Sequence, residues 1–167
     1  IITVASDAVL GLQDPQNYAS LLFRASEVIR ATAPRKLVIP AATTAINQTY
    51  PDILNYNKAL HTLGIESAID AWNIHFYGKQ YENLALGITD FVNNLGKPLW
   101  ITESGEPIAK DQVSYIRGAW PLLRKEFKNL KRIYYYQYAS RGNPTSNYGL
   151  RTENGNSQLY TYFRQLK

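Results

Sequence analysis

Cysteine and methionine are absent from this chain of 167 residues, and only two histidines occur. Without cysteine the protein has no disulfide framework, no thiolate nucleophile and no cysteine-based zinc site. The two histidines, His61 and His75, stand far apart in the sequence, which argues against a histidine metal cluster. Because a translated chain starts with methionine, we do not expect Ile1 to be the residue at which the gene begins.

Long apolar runs and a strong excess of charge are also lacking. No apolar stretch approaches the roughly 18 residues that a membrane span needs, so we expect a soluble protein without a span. Hydrophobic residues make up 45% of the chain, which excludes a disordered or collagen-like polymer. The net charge is +5, and basic residues with apolar neighbours cluster at 124–132. A solvated helix face explains that cluster better than nucleic-acid binding, so no nucleic-acid partner is expected.

Segments with the patterns of strands and of helices alternate along the whole chain. Short apolar runs predict strands at 1–4, 37–39, 68–77, 99–102 and 133–138. Apolar residues at helical spacing predict helices at 15–32, 53–63, 84–95, 113–130 and 159–166. Asp14 and Pro15 are typical of the first helix start, Gly64 ends the second helix, and Pro121 predicts a kink or a break in the fourth. Five strand–helix units in succession indicate an α/β fold with a parallel sheet.

Two α/β architectures fit this alternation, a doubly wound parallel sheet and a (β/α)8 barrel. A nucleotide-binding sheet is expected to carry a glycine-rich phosphate loop, and neither GxGxxG nor GxxxxGK[ST] occurs. Polar residues instead follow several strands, where a barrel gathers its active site. A complete barrel needs about 250 residues and eight units. Residues 1–167 are therefore predicted to be one domain, a partial TIM barrel of about five units, with the doubly wound sheet as the alternative. The polar residues are Ser6, Asp7, Thr43, Thr44, His75, Tyr77, Glu103, Ser104 and those at 137–140.

The most informative local sequence is 97–105, KPLWITESG, which places Glu103 at the end of an apolar strand. A carboxylate in that position is costly unless water or a partner solvates it. A helix N-cap or a loop salt bridge would explain an isolated glutamate. Here the buried strand before it and Gly105 after it favour a functional carboxylate at the mouth of a barrel.

This segment resembles the seventh strand of clan A glycoside hydrolases, which are retaining (β/α)8 enzymes. The run 70–78, DAWNIHFYG, is similar to their sixth strand, and 133–138, IYYYQY, to their eighth. The tail 147–155, with Tyr148-Gly149-Leu150 and Glu153-Asn154-Gly155, resembles the family ending before the last helix. The resemblance therefore implies the carboxyl-terminal part of such a barrel, from about strand 4 to helix 8.

The resemblance also implies roles for two carboxylates. Glu103 would be the nucleophile. If the helix at 18–32 corresponds to the one after the fourth strand of the family, Asp7 stands where the acid/base glutamate is expected. Asp7 is one methylene shorter, and Ser6 replaces the asparagine that usually binds the sugar 2-hydroxyl. Retaining chemistry needs the two carboxyl groups about 5–5.5 Å apart.

Further residues are predicted to bind substrate. His75 and Tyr77 match the His/Tyr pair that reaches into the sugar site of the family, and one of them is expected to orient Glu103 through a hydrogen bond. Packing is the alternative for His75. Tyr138 is expected to stack on a sugar ring, with Gln137 beside it. Trp100 belongs to the same candidate set, with burial in the core as its alternative.

The function that follows is hydrolysis of β-glycosidic bonds in oligo- or polysaccharides by two carboxylates, without cofactor or metal. One alternative is a catalytically inactive relative that binds carbohydrate or is structural, and another is a small flavodoxin-like domain that binds a phosphorylated ligand. Because members of the family that the chain resembles are commonly exported, the resemblance implies a secreted or cell-surface protein. Since part of a barrel leaves sheet edges unpaired, we expect the remainder of the barrel or a second chain as partner.

Overall fold

A computed structural model describes residues 2–4, 14–42, 51–78, 88–139 and 147–166. Strands and helices alternate within these ranges, as predicted, and the chain ends in a small hairpin and a helix. In chain order the elements are β1 (Ile2–Val4), α1 (Pro15–Thr32), β2 (Val38–Pro40), α2 (Pro51–Thr62), β3 (Trp72–Tyr77), α3 (Ile88–Asn93), β4 (Leu99–Gly105), α4 (Gln112–Glu126), β5 (Leu130–Ile133), β6 (Arg151–Thr152), β7 (Gly155–Asn156) and α5 (Gln158–Gln165), with 3-10 turns at Ile65–Ser67 and Ala109–Asp111.

The helix boundaries follow local chemistry that is readable in the sequence. The Asp14 side chain caps α1 by accepting a hydrogen bond from the Asn17 amide at 3.1 Å, and Pro15 occupies the first helical position. Gly64 follows α2 with a φ of 74°, a left-handed conformation that glycine adopts without strain. The predicted start of α1 and the predicted end of α2 are thereby confirmed, whereas α2 begins two residues earlier than predicted, at Pro51.

The strands are parallel and follow the order of the chain. β1 pairs with β2, and β3, β4 and β5 form a sheet in that order. Asp70 connects the two groups, because its amide donates to the Val38 carbonyl at 2.8 Å and its carboxylate accepts from the Val38 amide at 2.7 Å. Strands that are consecutive in the sequence are thus neighbours in space, as they are in a (β/α)8 barrel. This order confirms the α/β class.

The two faces of this sheet have different surroundings. The outer face packs against the helices in the main core, with Trp72, Ile74, Phe76, Leu99 and Ile101 among its buried members. The inner face carries a small separate cluster of Ile39, Ala71 and Trp100. Polar side chains then replace apolar ones along the inner face toward the carboxyl ends of β3 and β4. This gradient positions the site.

Several predicted boundaries were wrong. The third strand begins only at Trp72, since Ala68 still caps the 3-10 turn at Ile65–Ser67 and Asp70 hydrogen-bonds to Val38 of β2. The predicted fourth helix ends at Glu126, and Leu130 opens β5 instead. β4 continues to Gly105, beyond the predicted end. Pro121 lies inside α4 without breaking it.

Three further differences concern the ends of elements. Leu37 was assigned to a buried strand but is 44% exposed and precedes β2. β5 ends at Ile133, well before the predicted end of that strand. The β6–β7 hairpin was not predicted at all. The beginning of the predicted helix at 84–95 lies outside the described residues, which show α3 from Ile88.

Candidate active site

The carboxyl ends of β3 and β4 lie side by side and bring three of the predicted residues together. In the β3–β4 ladder His75 pairs with Glu103 and Tyr77 pairs with Gly105. The apolar runs before these residues bury both strands, so the polar ends are held on a rigid base. A site on strand ends of this kind is positioned by the sheet rather than by a loop.

Glu103 is the carboxylate at the centre of this arrangement. The Tyr77 hydroxyl donates a hydrogen bond to its Oε2, and His75 Nδ1 lies 3.5 Å from the same oxygen. The Glu103 side chain is 34% exposed, whereas that of His75 is 8% exposed. A carboxylate that is partly open to solvent and oriented by a neighbouring phenol can act as a nucleophile or as a general base.

Burial determines the protonation state of the phenol. It raises the pKa of Tyr77 far above its usual value of 10.0, and the hydrogen bond to Glu103 and its negative charge raise it further. Tyr77 therefore remains a neutral hydrogen-bond donor throughout the physiological range. As a donor it fixes the orientation of the carboxylate that it contacts.

Three tyrosine rings surround this hydrogen bond. Tyr77, Tyr136 and Tyr148 contact one another edge to face, with ring centroids 5.4–6.0 Å apart, and we call them the tyrosine cluster. Tyr148 reaches the cluster across Gly105, where a Cβ would lie 2.8 Å from Tyr148 Cδ1. The glycine is thus required for the close approach of the carboxyl-terminal segment to β4.

A second, buried carboxylate lies just beyond the strand. Glu106 is 4% exposed, and its Oε1 accepts a hydrogen bond from the Ile108 amide at 3.1 Å. Burial, and then the charge of Glu106, raise the pKa of Tyr115 and Tyr148 above the usual value. Glu106 is not among the residues predicted from the sequence. Its position directly after the 97–105 segment, three residues beyond Glu103, was the available signal.

The remaining predicted residues lie around or outside this centre. Backbone carbonyls of Gln137 and Tyr138 accept hydrogen bonds from the amides of Leu150 and Arg151, and the Tyr138 side chain is 61% exposed. Trp100 is only 6% exposed and packs in the inner cluster, with the Arg132 guanidinium 5.2 Å from its ring. Its surroundings favour the core alternative.

Ser6 and Asp7 lie outside the described part of the chain, as do Thr43, Thr44 and Ser140. The distance between the Asp7 and Glu103 carboxyl groups therefore stays untested. Successive tyrosines in the run after β5 have different neighbours. Tyr134 faces Trp100 and Tyr136 faces Tyr77, whereas Tyr135 contacts Phe163 of α5.

The described ranges contain neither a metal-binding cluster nor a membrane-spanning helix. No three His, Asp or Glu side chains there are grouped closely enough to hold a metal ion. None of the helices resolved in those ranges is both long and apolar enough to cross a membrane.

Comparison with known proteins places this arrangement in a family. Residues 13–163 match the family described as glycosyl hydrolase catalytic core, and the chain belongs to that family. No curated protein matches the chain significantly.

Solved structures confirm the barrel-type fold. An exo-β-1,3-glucanase of glycoside hydrolase family 128 from Cryptococcus neoformans is 13% identical, with a TM-score of 0.68 over 96% of this chain and 66% of its own. The family 128 endo-β-1,3-glucanase from Lentinula edodes is 16% identical, with a TM-score of 0.67 over 96% and 67%. A family 17 β-1,3-glucanosyltransferase from Rhizomucor miehei is 16% identical, with a TM-score of 0.59 over 93% and 60%. The chain thus spans about two thirds or less of these structures.

Proposed function

We propose that this chain carries the nucleophile of a retaining glycoside hydrolase that cleaves β-glycosidic bonds in oligo- or polysaccharides. The observation that supports this most directly is the placement of Glu103. Its carboxylate lies at the carboxyl end of a parallel strand, is partly open to solvent, and accepts a hydrogen bond from Tyr77. Membership of the glycosyl hydrolase catalytic core family makes this carboxylate the first candidate for the reaction.

The reaction proceeds in two displacements. Tyr77 and His75 both face Oε2 of Glu103, so we assign the attack to Oε1. The Oε1–anomeric carbon bond forms as the glycosidic C–O bond breaks, and the leaving oxygen takes a proton from a second carboxyl group. Water then attacks the anomeric carbon, gives a proton back to that second group, and releases Glu103. The chemistry needs no metal or cofactor.

We assign the second carboxyl group to Asp7 or to a residue outside this chain. Asp7 follows β1 in the sequence, and a barrel of parallel strands gathers the residues that follow its strands at the face where Glu103 lies. The remainder of the barrel, supplied by the same polypeptide or by a second chain, would complete the site. Secretion or display at the cell surface fits an enzyme that acts on polymeric carbohydrate.

The proposed substrate is a β-1,3-linked glucan. The family 128 structures named above are β-1,3-glucanases by name, and the family 17 structure transfers β-1,3-glucan segments. The exposed Tyr138 ring lies on the segment that follows β5 and is available to stack against the apolar face of a sugar ring. In this proposal Gln137 binds substrate hydroxyl groups beside it.

A catalytically inactive carbohydrate-binding protein is the second candidate. The presence of Asp7 where the resemblance expects glutamate favours it, because the shorter side chain alters the carboxyl separation on which the retaining reaction depends. Calorimetry with β-1,3-gluco-oligosaccharides separates the candidates, since binding without hydrolysis is the signature of the second one.

Covalent labelling tests the enzyme directly. A 2-deoxy-2-fluoro-β-glucoside with a dinitrophenolate leaving group is expected to label Glu103, which peptide mass spectrometry would locate. Glu103→Gln should abolish labelling and turnover, whereas Glu153→Gln, at an exposed position in the β6–β7 turn, serves as the matched control. Labelling at another residue, or none in a protein that hydrolyses β-1,3-glucan, would disprove the assignment of Glu103.

A further inference from the structure

Side chains on β3 alternate regularly between the two faces of the sheet. Trp72, Ile74 and Phe76 belong to the outer core against the helices, and Ala71 belongs to the inner cluster. Asn73 and His75 lie between the outward residues and therefore point inward. The regular alternation on β3 is the pattern with which the side-chain directions on β4 can be compared.

The alternation on β4 is interrupted just before the carboxylate. Trp100 lies in the inner cluster and Ile101 in the outer core. Ser104 faces outward, since its hydroxyl accepts a hydrogen bond from Trp120 Nε1 of α4 at 3.0 Å. An uninterrupted strand would place Ser104 on the same face as Trp100, because successive even positions share a face.

A β-bulge accounts for the change of phase. In the ladder Ile74 pairs with Ile101, but His75 pairs with Glu103, so Thr102 is the additional residue. Both Thr102 and Glu103 consequently point inward, which is how a bulge redirects a side chain. Without it, the carboxylate after Thr102 would face the helices instead of Tyr77.

Two side-chain hydrogen bonds hold the bulge in place. Thr102 Oγ1 donates to Asn73 Oδ1 at 2.7 Å, and Asn73 Nδ2 donates to the Pro40 carbonyl at 3.1 Å. Asn73 is 3% exposed, and β2, β3 and β4 are thereby tied together directly below the site. A buried amide that uses both its donor and its acceptor in this way has one preferred orientation.

We propose that Thr102 and Asn73 are positioning residues, which fix the bulge that turns Glu103 toward Tyr77 and His75. Their side chains hydrogen-bond to each other and to the Pro40 carbonyl, not to Glu103, so they act through the backbone of β4. The catalytic consequence rests on the proposed function, whereas the orientation of Glu103 does not.

Kinetics give the first test. Thr102→Val keeps the side-chain shape but removes the hydroxyl, and Thr102→Ser restores it. We expect Thr102→Val to lower kcat on an aryl β-glucoside by about tenfold or more with KM changed less than about twofold, and Thr102→Ser to recover most of the loss. Thr62→Val is the matched control, because Thr62 donates a similar hydrogen bond, to Lys58, on the exposed side of α2.

Nuclear magnetic resonance of tyrosine labelled with ¹³C at Cζ gives the second test, which needs no activity. Tyr77→Phe identifies the Tyr77 resonance. Thr102→Val should shift that resonance toward the position of an unbonded phenol, and Thr102→Ser and Thr62→Val should not. If circular dichroism shows that Thr102→Val does not fold, Thr102→Ala replaces it with the same expectations.

The outcomes separate the two proposals. An unchanged Tyr77 resonance in folded Thr102→Val overturns the positioning role, whatever the kinetics show. A parent protein without glycosidase activity overturns the proposed function, and the resonance then decides the positioning role alone. Equal losses of kcat in Thr102→Val and Thr102→Ser would also count against the positioning role, since loss of the hydroxyl would then not explain the lower kcat.

Discussion

Tyr77 and Glu103 are joined by a hydrogen bond across two neighbouring parallel strands, from the phenol to carboxylate Oε2. Each residue stands at the end of its own strand, and the ladder between β3 and β4 sets the distance between them. Because burial raises the pKa of Tyr77, the phenol stays protonated and continues to donate. The carboxylate is therefore oriented before any substrate arrives.

Replacing this donor tests its contribution. A hydrogen bond to a charged group is worth about 1.5–3 kcal/mol. We therefore expect Tyr77→Phe to lower kcat roughly 10- to 100-fold on an aryl β-glucoside. KM should change little, because the lost contact is to the nucleophile. Tyr134→Phe is the control, since the Tyr134 ring packs near Trp100, at the start of β4 and away from the carboxyl end that carries Glu103. Equal turnover in Tyr77→Phe and the parent would contradict an orienting role.

The close approach at Gly105 gives a prediction about stability. A Cβ there would lie 2.8 Å from both the Tyr136 carbonyl oxygen and Tyr148 Cδ1, so the carboxyl-terminal segment would have to move. Overpacking of this kind costs about 1–3 kcal/mol. Urea unfolding should show this loss for Gly105→Ala. Gly96→Ala is the matched control, because no atom lies within 4 Å of its added Cβ. Equal stability of the two variants would show that the segment is not packed on Gly105.

The core of the site could be predicted because it depends on local patterns. His75, Tyr77 and Glu103 each end an apolar run, and parallel strands place such ends at the same edge of a sheet. The start of helix α1 could be predicted in the same way, since Asp14 is a typical N-cap residue and Pro15 is favoured at the first helical position.

Other features depend on contacts that no local pattern reports. The bulge at Thr102 is set by Asn73 on another strand, while the letters LWITES read as a regular run. Tyr148 joins the site from a distant segment, through space that only Gly105 leaves free. Leu130 continues the helical spacing of α4, but the chain leaves the helix at Phe127, whose amide bonds to Leu123. Tertiary packing overrides the periodicity there.

The outward side of β4 should be sensitive to the loss of one hydroxyl. Ser104 is fully buried; its Oγ donates to the Tyr134 carbonyl at 2.7 Å and accepts from Trp120 Nε1 at 3.0 Å. Ser104→Ala leaves the Tyr134 carbonyl and Trp120 Nε1, which are only partly buried, without this partner, and we expect a loss of about 1 kcal/mol. Ser114→Ala removes a comparable hydroxyl from the exposed face of α4 and should be nearly neutral. A stability loss in chemical denaturation that is the same for both variants would contradict the role of Ser104.

Stability should also fall at alkaline pH through Tyr18. This residue of α1 is 2% exposed, and burial raises its pKa from 10.0 to about 12, although the Ala41 amide that donates to its oxygen opposes the shift. Above about pH 10 the unfolded chain loses the phenolic proton while the folded protein keeps it, so stability declines until the pH passes about 12.

Tyr18→Phe isolates this effect. The variant loses the hydrogen bond from Ala41 at every pH, but the other buried tyrosines titrate in both proteins and cancel in the comparison. Between about pH 8 and about pH 11, the free energy of unfolding of the parent should fall about 1.4 kcal/mol further than that of Tyr18→Phe. Urea unfolding at the two pH values measures the difference. Parallel declines in the two proteins would mean that Tyr18 ionises as readily in the folded state as in the unfolded chain.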